Sequence, residues 1–378
     1  MTGGRGAGLL LLASLQAVGP GLAWAVEPVR LALGDGFRVV EVGAADQIDM
    51  LDPTTRRPLF AFSGPRVVHI GSGPQGLDIE GRRVPVTGIR LQVKRGVLRV
   101  GTRDYTGALE VWRSGDSALL LINELSLEDY VAGTVRAEAS ESWPPEALRA
   151  LAVAARSYGV FQQLKNSGKP FHVVAGNQDQ NFAGRAPEGS PAWEAARATT
   201  GQVLTWEGRV FPAFYHADSG GITEAAQVVF PGDGVPPIPG VRDEFSVDSP
   251  HYSWVTTLPL ALVADRLRQA GYEVGEVRQL TVLERTASLR VARLQIEGSR
   301  GAVQLKGTDF RRVIGYDIVR SALWVPAIQD GAVRLEGRGF GHGVGLSQFG
   351  AKGMAERGYT AAQILAHYYP GAVVAYLR

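Results

Sequence analysis

Apolar and polar positions alternate over short runs in the first part of the chain, at 29–33, 37–42, 58–62, 66–70, 89–93 and 97–100. Gly34-Asp35-Gly36, Gly71-Ser72-Gly73-Pro74 and Gly101 separate them. Alternation at period two, punctuated by turn residues, predicts strands. The period changes after Ser126, where Ser126-x-x-Asp129 caps a short predicted helix carrying Leu127, Tyr130 and Val131. A longer helix is predicted over 145–164. Pro144-Pro145 suits a first turn, where a missing N–H costs nothing, and Leu148, Leu151, Ala152, Ala155 and Tyr158 recur at helical spacing.

Further strands are predicted at 203–206, 210–215, 253–258, 277–283, 289–296 and 302–305, and helices at 260–270 and 309–314. Thr360-x-x-Gln363 is a capping box for a last helix, which Pro370-Gly371 stops. Strands and helices come in runs rather than as βαβ units, so the expected class is α+β. The expected division is an export signal over 1–25, a β-rich N-terminal module over 26–115 and a mixed α+β domain over 116–378.

The export signal rests on Arg5, a short apolar stretch over 7–18 and the small-x-small pattern Ala23-Trp24-Ala25. That stretch is too short to span a bilayer, so no stable membrane span is expected after cleavage. With 39 basic and 37 acidic residues and no basic block, nucleic acid is not indicated as a partner. The chain has no cysteine, which excludes disulfides, thiolate chemistry and a lipoprotein attachment site.

Residues 337–353 hold seven glycines in seventeen positions. Such density requires positive φ or close approach to a ligand or another strand. The P-loop form fails because Ala351 separates Gly350 from Lys352 and no Ser or Thr follows that lysine. His342, between two glycines, fits a substrate contact or a turn histidine bonded to a carbonyl. No two of the six histidines stand at i,i+3 or i,i+4, so no metal and no cofactor are expected. His216, Asp218 and Ser219 lie within four residues, but sequence neighbours seldom form a triad and no nucleophile-elbow pattern surrounds them. Glu138 lies upstream of Trp143-Pro144-Pro145. Desolvation there raises a carboxyl pKa as a general acid requires, whereas a helix N-terminus would lower it.

Four patches, Asn123 to Glu138, Glu146 to Tyr158, Ala213 to Thr223 and the glycine tract continuing to Gly371, resemble the SpoIID/LytB family of bacterial cell-wall proteins. The resemblance covers most of the chain from Leu119 onward. It implies a SpoIID-like domain over 116–378, with Glu138 as the general acid/base of a peptidoglycan lytic transglycosylase. Such an enzyme cleaves between N-acetylmuramic acid and N-acetylglucosamine with one carboxyl group, and the muramic acid's own 6-hydroxyl closes a 1,6-anhydro ring.

The family's motifs map onto further positions expected to bind substrate or brace the cleft. Arg156 and Tyr158 match A-A-R-[ST]-Y, and Gln180, Phe182 and Gly184 match Q-x-Y-x-G. His216, Ser219, Gly220 and Gly221 match Y-H-S-x-S-G-G, while Arg338, His342, Ser347 and Gln348 match the glycine-rich tail. Some members bind zinc through cysteines and histidines in the loop before Q-x-Y-x-G. Residues 173–179 contain neither, so no zinc is expected. The implied partners are peptidoglycan glycan strands and a cell-wall amidase, and the implied location is the periplasm or cell envelope. The alternatives are a non-catalytic amidase enhancer and an envelope scaffold in which the glycine tract only closes a barrel.

Overall fold

The structure, a computed structural model, describes residues 27–377 except 74, 177, 233, 234 and 237. The expected export signal lies outside the described residues. Alternating apolar positions in the N-terminal part build two sheets. One has the order Val173–Val174, Val29–Phe37, Ala118–Leu125, Ala108–Ser114, Gly88–Val93, Ile48–Leu51, Pro58–Phe62. The other runs Arg103–Tyr105, Leu98–Val100, Val39–Ala44, Arg66–Gly73, Gly76–Ile79, Arg82–Val84. Leu31, Val42, Ile48, Ile70, Leu91 and Leu109 point inward to a common core.

The hairpin Ala108–Ser114/Ala118–Leu125 escapes the alternation rule because Leu119, Leu121, Ile122 and Leu125 make a nearly continuous apolar run, all buried. Buried Asn123 pins it by donating to the Thr106 and Ala108 carbonyls at 2.9 and 3.0 Å. The expected boundary at 115/116 falls in the turn of this hairpin.

Helix α1 (Leu127–Glu138) starts as its cap predicts, with the Asp129 N–H donating to Ser126 Oγ at 3.1 Å. Helix α2 (Pro145–Lys165) begins on Pro145 and buries Ala147, Ala150, Ala152, Ala154 and Ala155. These small side chains let neighbouring elements approach closely on several sides. Tyr130, Val135, Leu148 and Leu151 extend the core of the sheets, so the sheet-rich region and both helices share one apolar interior. Helices α3 (Pro191–Ala198) and α4 (Ala226–Val229) follow. The strand expected over 210–215 is instead the short pieces Arg209–Val210 and Tyr215–His216, because Pro212 between them has no N–H for a ladder.

Residues 253–338 form a segment with a core of its own. A sheet ordered Ser253–Pro259, Ala332–Arg338, Trp324–Gln329 accompanies another ordered Val277–Arg285, Val291–Gly298, Gly301–Leu305. With helices α5 (Leu260–Gln269) and α6 (Gly307–Ile314) they enclose Trp254, Val263, Leu294, Ile296, Phe310 and Leu335. Four of the strands and both helices were legible in the pattern, but the strand Trp324–Gln329 and the closure into a separate core were not.

After it the chain returns to the first body. Leu346–Ser347 pairs in parallel with Tyr215–His216 and leads directly into α7 (Gln348–Glu356). Helix α8 (Ala361–Tyr368) opens with the expected capping box, and Val373–Tyr376 joins the strand Gln202–Trp206. The protein is α+β, with its sheet-rich part at the N-terminus.

Candidate active site

Glu138 is the last residue of α1, and the chain turns into extended backbone at Ala139. The sequence had left a helix N-terminus as an opposing influence on this carboxyl group. At a helix C-terminus the dipole disfavours the anion, in the same direction as burial. The side chain is half-buried. The Asn181 N–H donates to Oε1 at 2.8 Å, and Gln348 Nε2 donates to Oε2 at 3.1 Å. Burial dominates these two hydrogen bonds and raises the Glu138 pKa above the usual carboxylate value.

The loop that supplies Asn181 is braced from behind. Asp179 accepts from Tyr158 Oη at 2.6 Å, from Gln162 Nε2 at 2.9 Å and from the Val174 N–H at 2.8 Å. Gln180 accepts from the Tyr130 hydroxyl and donates through Nε2 to Tyr215 Oη at 2.8 Å. Phe182 stacks on Tyr130 with centroids 6.2 Å apart. Burial holds the Tyr130 and Tyr215 phenols well above their ordinary pKa, and the nearby Glu138 charge acts in the same direction. Tyr158 and Gln180 therefore set the loop on which Glu138 rests.

Arg156 lies elsewhere. It is fully buried, bonded through Nε and Nη2 to Glu128 at 3.0 and 2.5 Å and through Nη2 to the Ala196 carbonyl at 3.0 Å. It fastens α1, α2 and α3 together and acts on the cleft only through them.

The glycine tract divides into a part bonded to its own surroundings and a part that reaches Glu138. The Val344 carbonyl accepts from His216 Nδ1 at 3.0 Å, and the Val344 N–H donates to His342 Nδ1 at the same distance. Two imidazoles, 5.5 Å apart between centroids, thus hold one residue of the tract. Burial pushes the His342 pKa down to about 3, with the Arg311 charge adding to it, and pushes His216 well down too. Both rings are neutral at physiological pH.

Ser219 is buried and donates to Asp243 Oδ2 at 2.6 Å, while its Oγ accepts from the Gly221 N–H at 3.0 Å. The Gly220 N–H donates to Asp218 Oδ1 at 2.6 Å. Ser219, Gly220 and Gly221 thus form a tightly bonded turn rather than a nucleophile. The glycines of the tract face protein: at Gly345, φ is +71° and a Cβ would stand 2.0 Å from the Phe214 carbonyl oxygen. Buried Ser347 caps α7 by accepting from the Gly350 N–H at 3.2 Å, which leaves Gln348 at the first helical position, directed at Glu138. Arg338 packs its backbone on Gly220 but exposes its side chain. It lines a groove of about 470 Å³ in the 253–338 segment, together with Trp254, Arg285 and Trp324.

Of the expected residues, Gln348 bonds Glu138 directly, while Tyr158 and Gln180 hold the 179–181 loop whose backbone bonds it. His216, His342, Ser219, Gly220, Gly221 and Ser347 shape the tract, while Arg156 is buried among α1, α2 and α3 and Arg338 lines the other groove. Sequence reasoning missed Asn181, whose backbone carries the contact, and Tyr215. The signal for Tyr215 was its place beside His216 on a strand, where neighbours face opposite ways.

Residues 115–206 match the family model described as Stage II sporulation protein, SpoIID. A Stage II sporulation protein D of Bacillus amyloliquefaciens is 31% identical over 66% of this chain and 74% of the relative. The chain belongs to the SpoIID family. An uncharacterized protein of Brachyspira hyodysenteriae is 30% identical over 78% of each chain. An amidase enhancer of Bacillus subtilis is 26% identical over 63% of this chain but only 39% of its own length. Residues 242–345 match a domain of unknown function, DUF8618, and that range encloses the separate core.

Proposed function

We propose that this SpoIID-family chain is an exported cell-wall protein that cleaves the N-acetylmuramic acid–N-acetylglucosamine bond of peptidoglycan as a lytic transglycosylase. The observation that carries the reading is the Glu138 carboxyl group, half-buried at a helix C-terminus with a raised pKa and two fixed donors. A carboxyl group so placed keeps a proton at higher pH than a free glutamate and returns it after one transfer. The rise has burial as its cause, and among the described residues no neighbouring carboxylate contributes to it. Hydrolases of the usual pattern pair two acids across the scissile bond. A single acid suits a reaction that activates no water.

In that reaction Glu138 gives its proton to the glycosidic oxygen as the bond to the muramic C1 breaks. The resulting carboxylate takes the proton of the muramic C6 hydroxyl, whose oxygen bonds to C1 and closes the 1,6-anhydro ring. Glu138 is protonated again at the end, and no water is consumed. The Asn181 and Gln348 donors hold the carboxylate through the intermediate stage. Among the described residues no helix is long and apolar enough to cross a membrane.

A second reading, enhancement of a cell-wall amidase without cleavage, rests on the likeness to the amidase enhancer. Mass spectrometry of purified glycan strands treated with the wild type and with Glu138→Gln separates the two. Anhydro-muramic ends that disappear in the variant support the transglycosylase. Reducing muramic ends would make the protein a hydrolase. No cleavage, with amidase activity rising on addition of either form, would replace the enzyme with the enhancer.

A further inference from the structure

Four half-exposed rings from three separate stretches of chain are linked in one series of contacts. Trp143, five residues beyond Glu138, meets Phe349 with centroids 5.0 Å apart; Phe349 meets His251 at 5.5 Å, and His251 meets Phe340 at 5.1 Å. The interplanar angles are 63°, 81° and 68°, so each contact is edge to face. In such contacts one ring braces the other without covering both of its faces. Burial, with Arg320 adding to it, pushes the His251 pKa down, so this ring stacks as a neutral aromatic. Phe349 follows Gln348, the residue bonded to Glu138, which ties the row to the acid. At the far end Phe340 lies two residues from Arg338 and the groove of the 253–338 segment.

We infer that the row Trp143–Phe349–His251–Phe340 is an extended subsite for a glycan strand, leading from Glu138 toward the 253–338 segment. The inference rests on the reading of Glu138 as a glycan-cleaving acid and adds where the rest of the strand lies. A pyranose ring has an apolar face of C–H bonds rimmed by hydroxyls, and it packs on an aromatic face whose quadrupole is negative. Successive rings spaced on the scale of one sugar suit a repeating polymer. The site then favours long strands, in which several sugars contribute to binding at once.

The test uses the full chain carrying Glu138→Gln, which separates binding from cleavage, titrated calorimetrically with disaccharide, tetrasaccharide and octasaccharide fractions of purified glycan. Affinity rises with length in this parent. Adding Phe340→Ala or His251→Ala shrinks that rise, on the order of threefold to tenfold per ring removed. Phe340→Trp restores it. Melting curves show which variants remain folded, and either alanine variant suffices. Affinity that does not grow with length in the parent, or grows equally in folded alanine variants, overturns the subsite. The fate of the cleavage reading is read separately from the wild type: no cleaved ends alongside intact length-dependent binding would reject the activity and leave the subsite standing.

Discussion

Glu138 and the His216–His342 pair are both ionisable groups withdrawn from water and fixed by hydrogen bonds, and the loss of water does opposite things to them. Removing water disfavours the charged form of each. For the carboxyl group this raises the pKa and retains a transferable proton. For the imidazoles it lowers the pKa, to about 3 at His342, and leaves rings that carry no proton charge in the working range. The same physics suits the one group to the proposed proton transfer and leaves the other neutral in a structural place. A histidine in a glycine-rich loop invites a catalytic reading, and its surroundings here direct it to hold Val344.

Substitution at Glu138 tests the chemical side and has the largest expected effect. Glu138→Gln lowers the rate of anhydro-product formation by about 10²–10⁴-fold, measured on purified strands. Its stability should move the other way. A carboxyl group with a raised folded-state pKa stabilises the fold at low pH, and that contribution is lost as pH rises through the folded value. Denaturant curves should show the variant gaining on the wild type as pH rises from the unfolded value to the folded one, keeping the gain above it and losing it below the unfolded value. A stability difference that does not change across that window would contradict a carboxyl pKa raised by burial.

On the architectural side, Gly345→Ala should cost about 1–3 kcal/mol or more, because the new Cβ meets the Phe214 carbonyl at a positive φ. Urea unfolding measures it, and a neutral result would remove the packing account of the tract. His342→Gln should cost about 1 kcal/mol for the weakened bond to Val344. It should leave the shape of the pH–rate profile unchanged, and a shifted limb would move His342 to the chemical side. Gln348→Ala is the mildest case in stability terms. By deleting a donor to the carboxylate it moves the Glu138 limb of the profile to higher pH, and an unmoved limb would mean that this bond does not bear on the acid.

Features set by near neighbours were legible in the sequence. The caps at Ser126 and Thr360 and the proline start of α2 depend on residues within one helical turn, and the structure has all three. The hairpin ending in Leu125 was not legible, because the unbroken apolar run from Ala118 to Ile122 hides the alternation. Nor was the break of the expected 210–215 strand, although Pro212 was its visible cause. At the site, the motifs named Glu138, Gln180 and Gln348. They could not show that Arg156 is an interior fastener or that Arg338 lines a different groove.

The sequence by itself determined most of the elements, the α+β class and the glutamate in question, since period, capping and motif are written in short windows. Tertiary structure decided what those residues do. Glu138 and Gln348 are separated by 210 positions and meet only because Leu346–Ser347 pairs with Tyr215–His216 and starts α7 beside the end of α1. The direction of a pKa shift, the neutrality of two histidines and the meeting of four rings all depend on what excludes water from each group. That is a property of chain packing across long separations, and no local window contains it.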